Sequence, residues 1–339
     1  MPATLKDIAN RVGKSITTVS RALNDYDDIS PETKQLVRQA AAELGYIPSA
    51  VAQRLQKRRT DTLGFILPTF GPRFSDPFFS EFLAGIGNKA SLYGFDLLVS
   101  TRTPGKAEMD AYQSTVKGRR VDGFIIVRTR LQDARIKYLS EAQFPFVVFG
   151  RVEGSDDFLF VDEDSEYGVM LIVDYLLKIG HRRFGVITPP SNLTFTHYRL
   201  KGIRKRLAEA GVNLDDEFVF DGDLTQRGGY QLGKTLLAHP NRPTAIIACN
   251  DLMAYGAMSA AQELGLVVGK DISITGFDDI PMSEHMHPPL TTLHQPIYKI
   301  GEMVCEMLIK SIRGEQIEQP KVILRPELMI RQSCGAVAG

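Results

Sequence analysis

Cysteine is nearly absent from this chain. Cys249, Cys305 and Cys334 are three in 339 residues and lie far apart. So odd and sparse a set offers no disulfide framework and no zinc-ligand spacing, and it fits a reducing compartment. No apolar stretch follows Met1 and no long apolar run occurs elsewhere. Neither a secretory leader nor a membrane-spanning helix is therefore expected, and the cytoplasm is the default location. Catalytic strings are also missing. There is no G-x-S-x-G elbow and no H-E-x-x-H pair. His285 and His287 are close, but no second metal-ligating group joins them, and they read as flanks of the turn at Pro288-Pro289. No catalytic residue, metal or cofactor is expected. Net charge is missing as well, since 40 Lys+Arg balance 40 Asp+Glu.

That neutrality conceals an asymmetry. Residues 1–60 carry 10 Lys+Arg and 6 Asp+Glu, a net of +4, and the remainder carries 30 and 34, a net of −4. A basic head on an acidic body points to a polyanion at one end, although a run such as Lys57-Arg58-Arg59 is also ordinary solvated surface. The length suits about two or three domains. A hydrophobic share of 43% with 24% charged residues is that of a soluble globular protein.

The first 48 residues read as three short helices. Thr4 caps the first, whose Leu5, Ile8, Ala9 and Val12 share one face, and Gly13 stops it. Ser15 caps the second, which buries Val19, Ala22 and Leu23. Ser30 caps the third, with Pro31 at its first position. A small Ala9 at the crossing, a glycine turn and an inward Val19 are the demands of a helix-turn-helix. Its second helix then lies in the DNA major groove. Ile16 and Thr17 are candidates for base edges, and Arg21 for guanine O6 and N7. Ser15, Thr18, Ser20 and Asn24 suit phosphate oxygens, with Thr4 at the neighbouring helix start. A plain three-helix bundle with a solvated polar face has the same spacing.

From residue 62 apolar strands alternate with amphipathic helices. LGFILP, FDLLVS, VDGFIIV, PFVVFG and FLFVD form one set; RFGVIT, EFVFD, TAIIACN and ISITGFD form another. Continuous apolar strands are buried on both faces. Two such sets predict an α/β body of two doubly wound parallel-sheet lobes. Ligands in these folds sit beyond the strand carboxyl ends. The residues there are Asp76, Phe78, Phe79, Arg128, Phe160, Arg199, Leu224, Asn250, Asp278 and Gln295. Guanidinium, amide and carboxylate suit vicinal hydroxyls, and phenylalanine faces suit a sugar ring. Asn250 with Asp251 also reads as a helix cap, and Phe160 as plain core. Two strings mimic nucleotide motifs, GGYQLGKT at 228–235 and GIGNKA at 85–90. Both fall inside helical patterns rather than at a strand-to-helix turn, so a nucleotide site is only the remoter alternative.

LKDIANRVGKSITTVSRALN, GYIPSAVAQRL, ND-x-MA-x-GA and DISITGFDD, in that order, resemble the lactose-repressor/galactose-repressor family of bacterial transcription regulators. The resemblance covers essentially the whole chain. It implies a head at 1–48, a hinge helix and linker at 49–61, and a periplasmic-binding-protein-like effector and dimerisation body at 62–339. The chain would cross between lobes near 161, 290 and 325, giving a first lobe at about 62–161 and 291–324 and a second at about 162–290 and 325–339. It implies that Leu55 wedges into the minor groove of a near-palindromic operator, with Ser49 capping the hinge helix and small Ala52 letting two hinges approach. Ser49 and Ala50 depart from the Asn and Arg or Pro of many members. Arg199, Asn250 and Asp278 match residues that bind effectors, often sugars. No leucine-heptad tail follows the last strand, so a homodimer is expected. A mono- or disaccharide is the expected effector of a repressor. A purine-repressor-like protein with a corepressor is the alternative. A transporter's sugar-binding protein would lack the basic head.

Overall fold

The computed structural model describes residues 3–46, 59–69, 76–152, 154 and 157–337. The hinge candidates Ser49, Ala52 and Leu55 lie outside them. The chain divides into two compact units, Met1–Thr60 and Asp61–Gly339.

The first unit holds α1 (Leu5–Val12), α2 (Ile16–Leu23) and α3 (Pro31–Glu43). Local chemistry sets the boundaries. Thr4 and Asp7 form a reciprocal capping box at α1. Ser15 and Ser30 accept from Thr18 N and Thr33 N at α2 and α3. Such a cap contributes ~1 kcal/mol. Gly13 takes φ 66°, the left-handed turn between α1 and α2. Ile8, Ala9, Val19, Ala22, Val37, Ala40 and Ala41 make the buried core.

The second unit contains two parallel sheets. In the first lobe, β1 (Thr62–Pro68), α4 (Pro77–Leu92), β2 (Asp96–Arg102), α5 (Lys106–Lys117), β3 (Gly123–Ile126), α6 (Ala134–Glu141), β4 (Phe146–Phe149) and β5 (Leu159–Glu163) alternate. In the second lobe come α7 (Ser165–Lys178), β6 (Phe184–Thr188), α8 (Thr194–Glu209), β7 (Val219–Asp221), α9 (Gln226–Ala238), β8 (Ala245–Ala248), α10 (Asp251–Glu263) and β9 (Ser273–Thr275). The chain ends with β10 (Thr292–His294), α11 (Ile297–Arg313), β11 (Lys321–Leu324) and β12 (Glu327–Met329). The first sheet runs β11-β5-β4-β3-β1-β2, the second β7-β6-β8-β9, and β10 and β12 pair as an antiparallel ribbon.

Strand alternation sorts the first lobe's core. Phe65 and Leu67 of β1 face Phe79, Phe82 and Ile86 of α4, with Val304 and Leu308 of α11 in the same cluster. Ile66 faces the other way, with Tyr112, Phe124, Leu139, Val148 and Phe160. Helices can cover this sheet closely because glycines stand at their crossings. A Cβ on Gly85 would sit 2.1 Å from the Tyr298 carbonyl oxygen, and one on Gly301 2.4 Å from that of Phe82. The same holds in the second lobe, where a Cβ on Gly229 would sit 2.2 Å from the Met253 carbonyl oxygen. Thus both nucleotide-like strings lie inside helices α4 and α9. Gly85, Gly229 and Gly233 pack helix on helix, and Lys234 pairs with Glu263 at 2.7 Å.

The first two lobe changes fall slightly later than the resemblance implies. β5 continues to Glu163, so the first follows at 164. Residues 291–294 still run beside β9, through bridges Thr275–Thr291 and Asp278–His294. The second change therefore comes at 295–296, where α11 leaves to pack on α4. Hydrogen bonding of β10 to this side outweighs the turn signal of Pro288-Pro289.

Candidate functional site

On α2, Val19 and Ala22 point into the head, while Ile16, Thr17, Arg21 and Asn24 are exposed on the opposite side. Ile16 is 49% exposed. Ser15 Oγ lies 2.9 Å from Thr18 Oγ1 and accepts from Thr18 N at 3.0 Å. Ser20 is half-buried, and its carbonyl accepts from Asn24 Nδ2 at 2.8 Å. Thr4 is exposed at the start of α1.

In the second unit, nine of the ten predicted cleft residues line one cavity enclosing about 580 Å³, its open mouth included. They are Asp76, Phe78, Phe79, Arg128, Arg199, Leu224, Asn250, Asp278 and Gln295. Each follows a strand carboxyl end or a crossing. Asp76 caps α4 by accepting from Phe78 N at 3.1 Å, and its other oxygen takes Arg128 Nη2 at 3.0 Å. Arg128 also lies over the Phe79 ring, 5.0 Å from its centroid. Its backbone is left-handed, φ 51°. The buried Arg135 holds it there, donating to the Arg128 carbonyl at 3.0 Å while pairing with Asp133 at 2.6 Å and Glu108 at 3.1 Å. Burial opposes ionisation of Asp133, yet Arg135 and the Arg130 amide win and hold its carboxyl below the ordinary value.

Arg199 sits in the second turn of α8 between two rings, 3.5 Å from the Phe277 centroid and 4.8 Å from Phe195. It donates to Glu163 Oε1 at 3.1 Å and Ser165 Oγ at 3.3 Å. Asn250 caps α10 through Met253 N at 2.9 Å and donates to the Leu224 carbonyl at 3.3 Å. Gln295 Nε2 donates to Asp278 Oδ1 at 2.7 Å. Glu163 Oε2 and Gln295 Oε1 are buried without a hydrogen-bond partner among the described residues. Two buried acceptors at one cavity are what a ligand with hydroxyl donors would satisfy.

Phe160 is the exception. It sits mid-strand in β5 with 5% exposure, edge-on to Phe158 in the core beneath α5 and α6. The strand carries its chemistry two and three residues further, at Asp162 and Glu163, which do line the cavity. Sequence reasoning also passed over Val127, Phe149, Gly150 and Phe195. The strand-end rule could have found Phe149-Gly150 and Glu163. Phe149 stacks on Phe78 at 5.8 Å and 17°, giving the first lobe a flat apolar wall.

Three aspartates of the cavity are hard to ionise. Burial pushes Asp278 well above its ordinary value, and Asp251 adds to this against the pull of Arg199. Burial raises Asp76 in spite of Arg128. Asp162 is pushed up to about 7 by burial and by Glu163, against Arg151.

Beside the cavity the lobes are tied together. Thr194 N donates to the Thr129 carbonyl at 2.9 Å, and their hydroxyls are hydrogen-bonded. Leu131 N donates to the Asn192 carbonyl at 3.3 Å, and Arg130 bridges Leu193. Arg151 of the first lobe lies over Tyr198 of the second at 4.6 Å. Among the described residues no helix is long and apolar enough to cross a membrane, and no His/Cys/Asp/Glu group could hold a metal ion.

Known proteins share both parts. Residues 4–49 match the description "Bacterial regulatory proteins, lacI family", and residues 173–334 match "Periplasmic binding protein-like domain". The HTH-type transcriptional regulator AglR of Rhizobium meliloti (strain 1021) is 36% identical over 339 residues, 99% of this chain and 95% of the relative. A lac repressor dimer bound to operator and the anti-inducer ONPF superposes with TM-score 0.86 at 30% identity, covering 99% of this chain and 100% of that one. A transcriptional regulator CelR–cellobiose complex does so with TM-score 0.75 at 31% identity, covering 98% and 99%. The helix-turn-helix head, the paired parallel-sheet lobes and identity along the full length agree: this chain belongs to the lacI family of bacterial regulatory proteins and is a DNA-binding transcriptional regulator.

Proposed function

We propose that this regulator is a cytoplasmic, non-enzymatic repressor that binds a neutral, hydroxyl-rich effector, a mono- or disaccharide, in the cleft between its lobes. The supporting observation is the cavity's donor and acceptor balance. Glu163 Oε2 and Gln295 Oε1 await donors, and the Phe78–Phe149 stack presents a ring-sized apolar face. Four carboxyls, Asp76, Asp162, Glu163 and Asp278, face two guanidiniums that are already paired with Asp76 and Glu163. An anionic ligand such as a sugar phosphate would find no unpaired guanidinium in the cavity to receive it. The relative solved with cellobiose supports a saccharide.

On DNA, Ile16, Thr17 and Arg21 read base edges, and Thr4, Ser15, Thr18, Ser20 and Asn24 hold phosphates. Two protomers place two heads on a near-palindromic operator. The effector acts because its contacts reach both lobes, so it favours one inter-lobe arrangement, and differential affinity for the two arrangements sets how far DNA binding moves.

Thermal unfolding of the purified protein across sugars, sugar phosphates, nucleobases and amino acids is the direct test. A ligand at ~100-fold its Kd adds about 2.7 kcal/mol, which is readable as a shift. A saccharide should shift the transition, its phosphate should not, and Asp278→Ala should abolish the response. A shift by purines alone would overturn the saccharide assignment.

A further inference from the structure

Arg21 does not stand free on the recognition helix. Its Nε donates to Asp28 Oδ1 at 3.2 Å, and its Nη2 lies 2.7 Å from Asp28 Oδ2. The carboxylate therefore takes one edge of the guanidinium with both its oxygens. The Tyr26 ring lies against its face, with the arginine Cζ 4.8 Å from the ring centroid. A guanidinium has five N–H donors in a fixed fork. Two are occupied here, and the end-on pair of Nη1 and Nη2 donors remains to meet guanine O6 and N7.

We infer that Asp28 is a positioning residue for DNA readout: it braces Arg21 from the side so that the opposite edge is presented to a base, with Tyr26 fixing the plane. The inference rests on the reading of Arg21 as a base contact. A long arginine side chain loses rotamer freedom when it docks. A brace already present before binding removes part of that cost for the one geometry that fits a guanine edge. The same carboxylate works against non-specific binding, because it brings a negative charge close to the phosphate backbone. One acidic residue beside the recognition helix thus weakens random contacts and favours the matched one. Asp25, in the same turn, does not share this role, since it pairs with Lys34 at 3.1 Å and Arg38 at 3.0 Å.

The experiment uses the full-length protein and two probes: duplexes enriched by that protein from a random-sequence pool, and the unselected pool. Binding is titrated at several salt concentrations for wild type, Arg21→Ala, Asp28→Asn, Asp28→Glu and Asp27→Asn. Asp28→Asn should lower the preference for enriched over unselected duplexes by roughly two- to tenfold, the cost of immobilising one such side chain. It should also tighten unselected binding at low salt. Asp28→Glu should recover part of the preference. Asp27→Asn removes the same charge one residue away and should tighten both probes alike. In an Arg21→Ala background Asp28→Asn should no longer change the preference. If Asp27→Asn matches Asp28→Asn, or if Asp28→Asn acts equally with and without Arg21, only bulk charge is at work and the brace is wrong. If Arg21→Ala itself leaves the preference intact, the base-contact reading fails first, and the two failures are thereby told apart.

Discussion

Arg199 shows how much one side chain settles in this cleft. Its guanidinium is clamped between Phe195 and Phe277 and pairs with Glu163, both charges being almost fully buried. Removing one partner of a buried pair typically costs about 3–5 kcal/mol, because the other charge is left uncompensated. Arg199→Ala should therefore lower the unfolding temperature, and Arg199→Lys should rescue this poorly because an ammonium cannot fill a flat slot between two rings. Calorimetry of the three proteins checks both statements. Asp162 makes a pH prediction. Its folded carboxyl titrates at about 7, against an ordinary value of 3.8. Between those values the folded state holds a proton that the unfolded chain releases, so stability falls as pH rises through this window. Asp251, pushed up to about 6 chiefly by burial, adds in the same sense. Asp162→Asn should flatten the fall in unfolding temperature between about pH 4 and 7; an unchanged slope would assign the fall to other groups.

At the scale of elements, the head and the body depend on different physics. Three short helices are marginal alone, and their stability comes from the small core around Ile8, Val19 and Val37. Ile8→Ala should cost about 2–5 kcal/mol, a large part of what so small a unit has. DNA binding should vanish while the ligand-induced thermal shift of the body persists. In the body, the loops after β3 and β6 form the tie between lobes through Thr129 and Thr194. Thr129→Val deletes a hydroxyl from that tie, worth about 1 kcal/mol. Effector release should become roughly fivefold faster if opening limits it, as stopped-flow dissociation would read. An unchanged rate would mean that the tie survives in the open form.

The whole molecule couples two binding events, and the coupling is reciprocal. Whatever factor the effector imposes on operator affinity, operator must impose on effector affinity. Titrating DNA with and without effector, and effector with and without DNA, should give the same factor. Weakened DNA binding identifies an inducer; tightened binding identifies a corepressor. An inequality would mean that one of the titrations had not reached equilibrium, and a factor of one in both directions would mean that the two sites are not coupled. Sedimentation of the free and DNA-bound protein should show two protomers on one operator.

Much of this was legible in the chain itself, because much of it is local. Thr4, Ser15 and Ser30 each cap a helix through a neighbour three residues away, and the apolar spacing of Leu5, Ile8 and Val19 sets which face turns inward. Strand ends followed by Asp76, Arg128, Asn250 and Asp278 announce a cleft, since parallel sheets leave their carboxyl ends for ligands. What sequence could not decide depends on contacts between distant positions. Arg135 is charged in sequence and fully buried in the fold, because Glu108, Asp133 and the Arg128 carbonyl meet it there. Gly85, Gly229 and Gly233, which imitate nucleotide loops, turn out to be crossing points of helices. The pairings Arg199–Glu163 and Gln295–Asp278, which leave one acceptor of each pair open to a ligand, exist only once the lobes fold and meet. Periodicity and caps determine elements because they act within a few residues; the binding site is decided by packing, which brings together side chains that the chain keeps far apart.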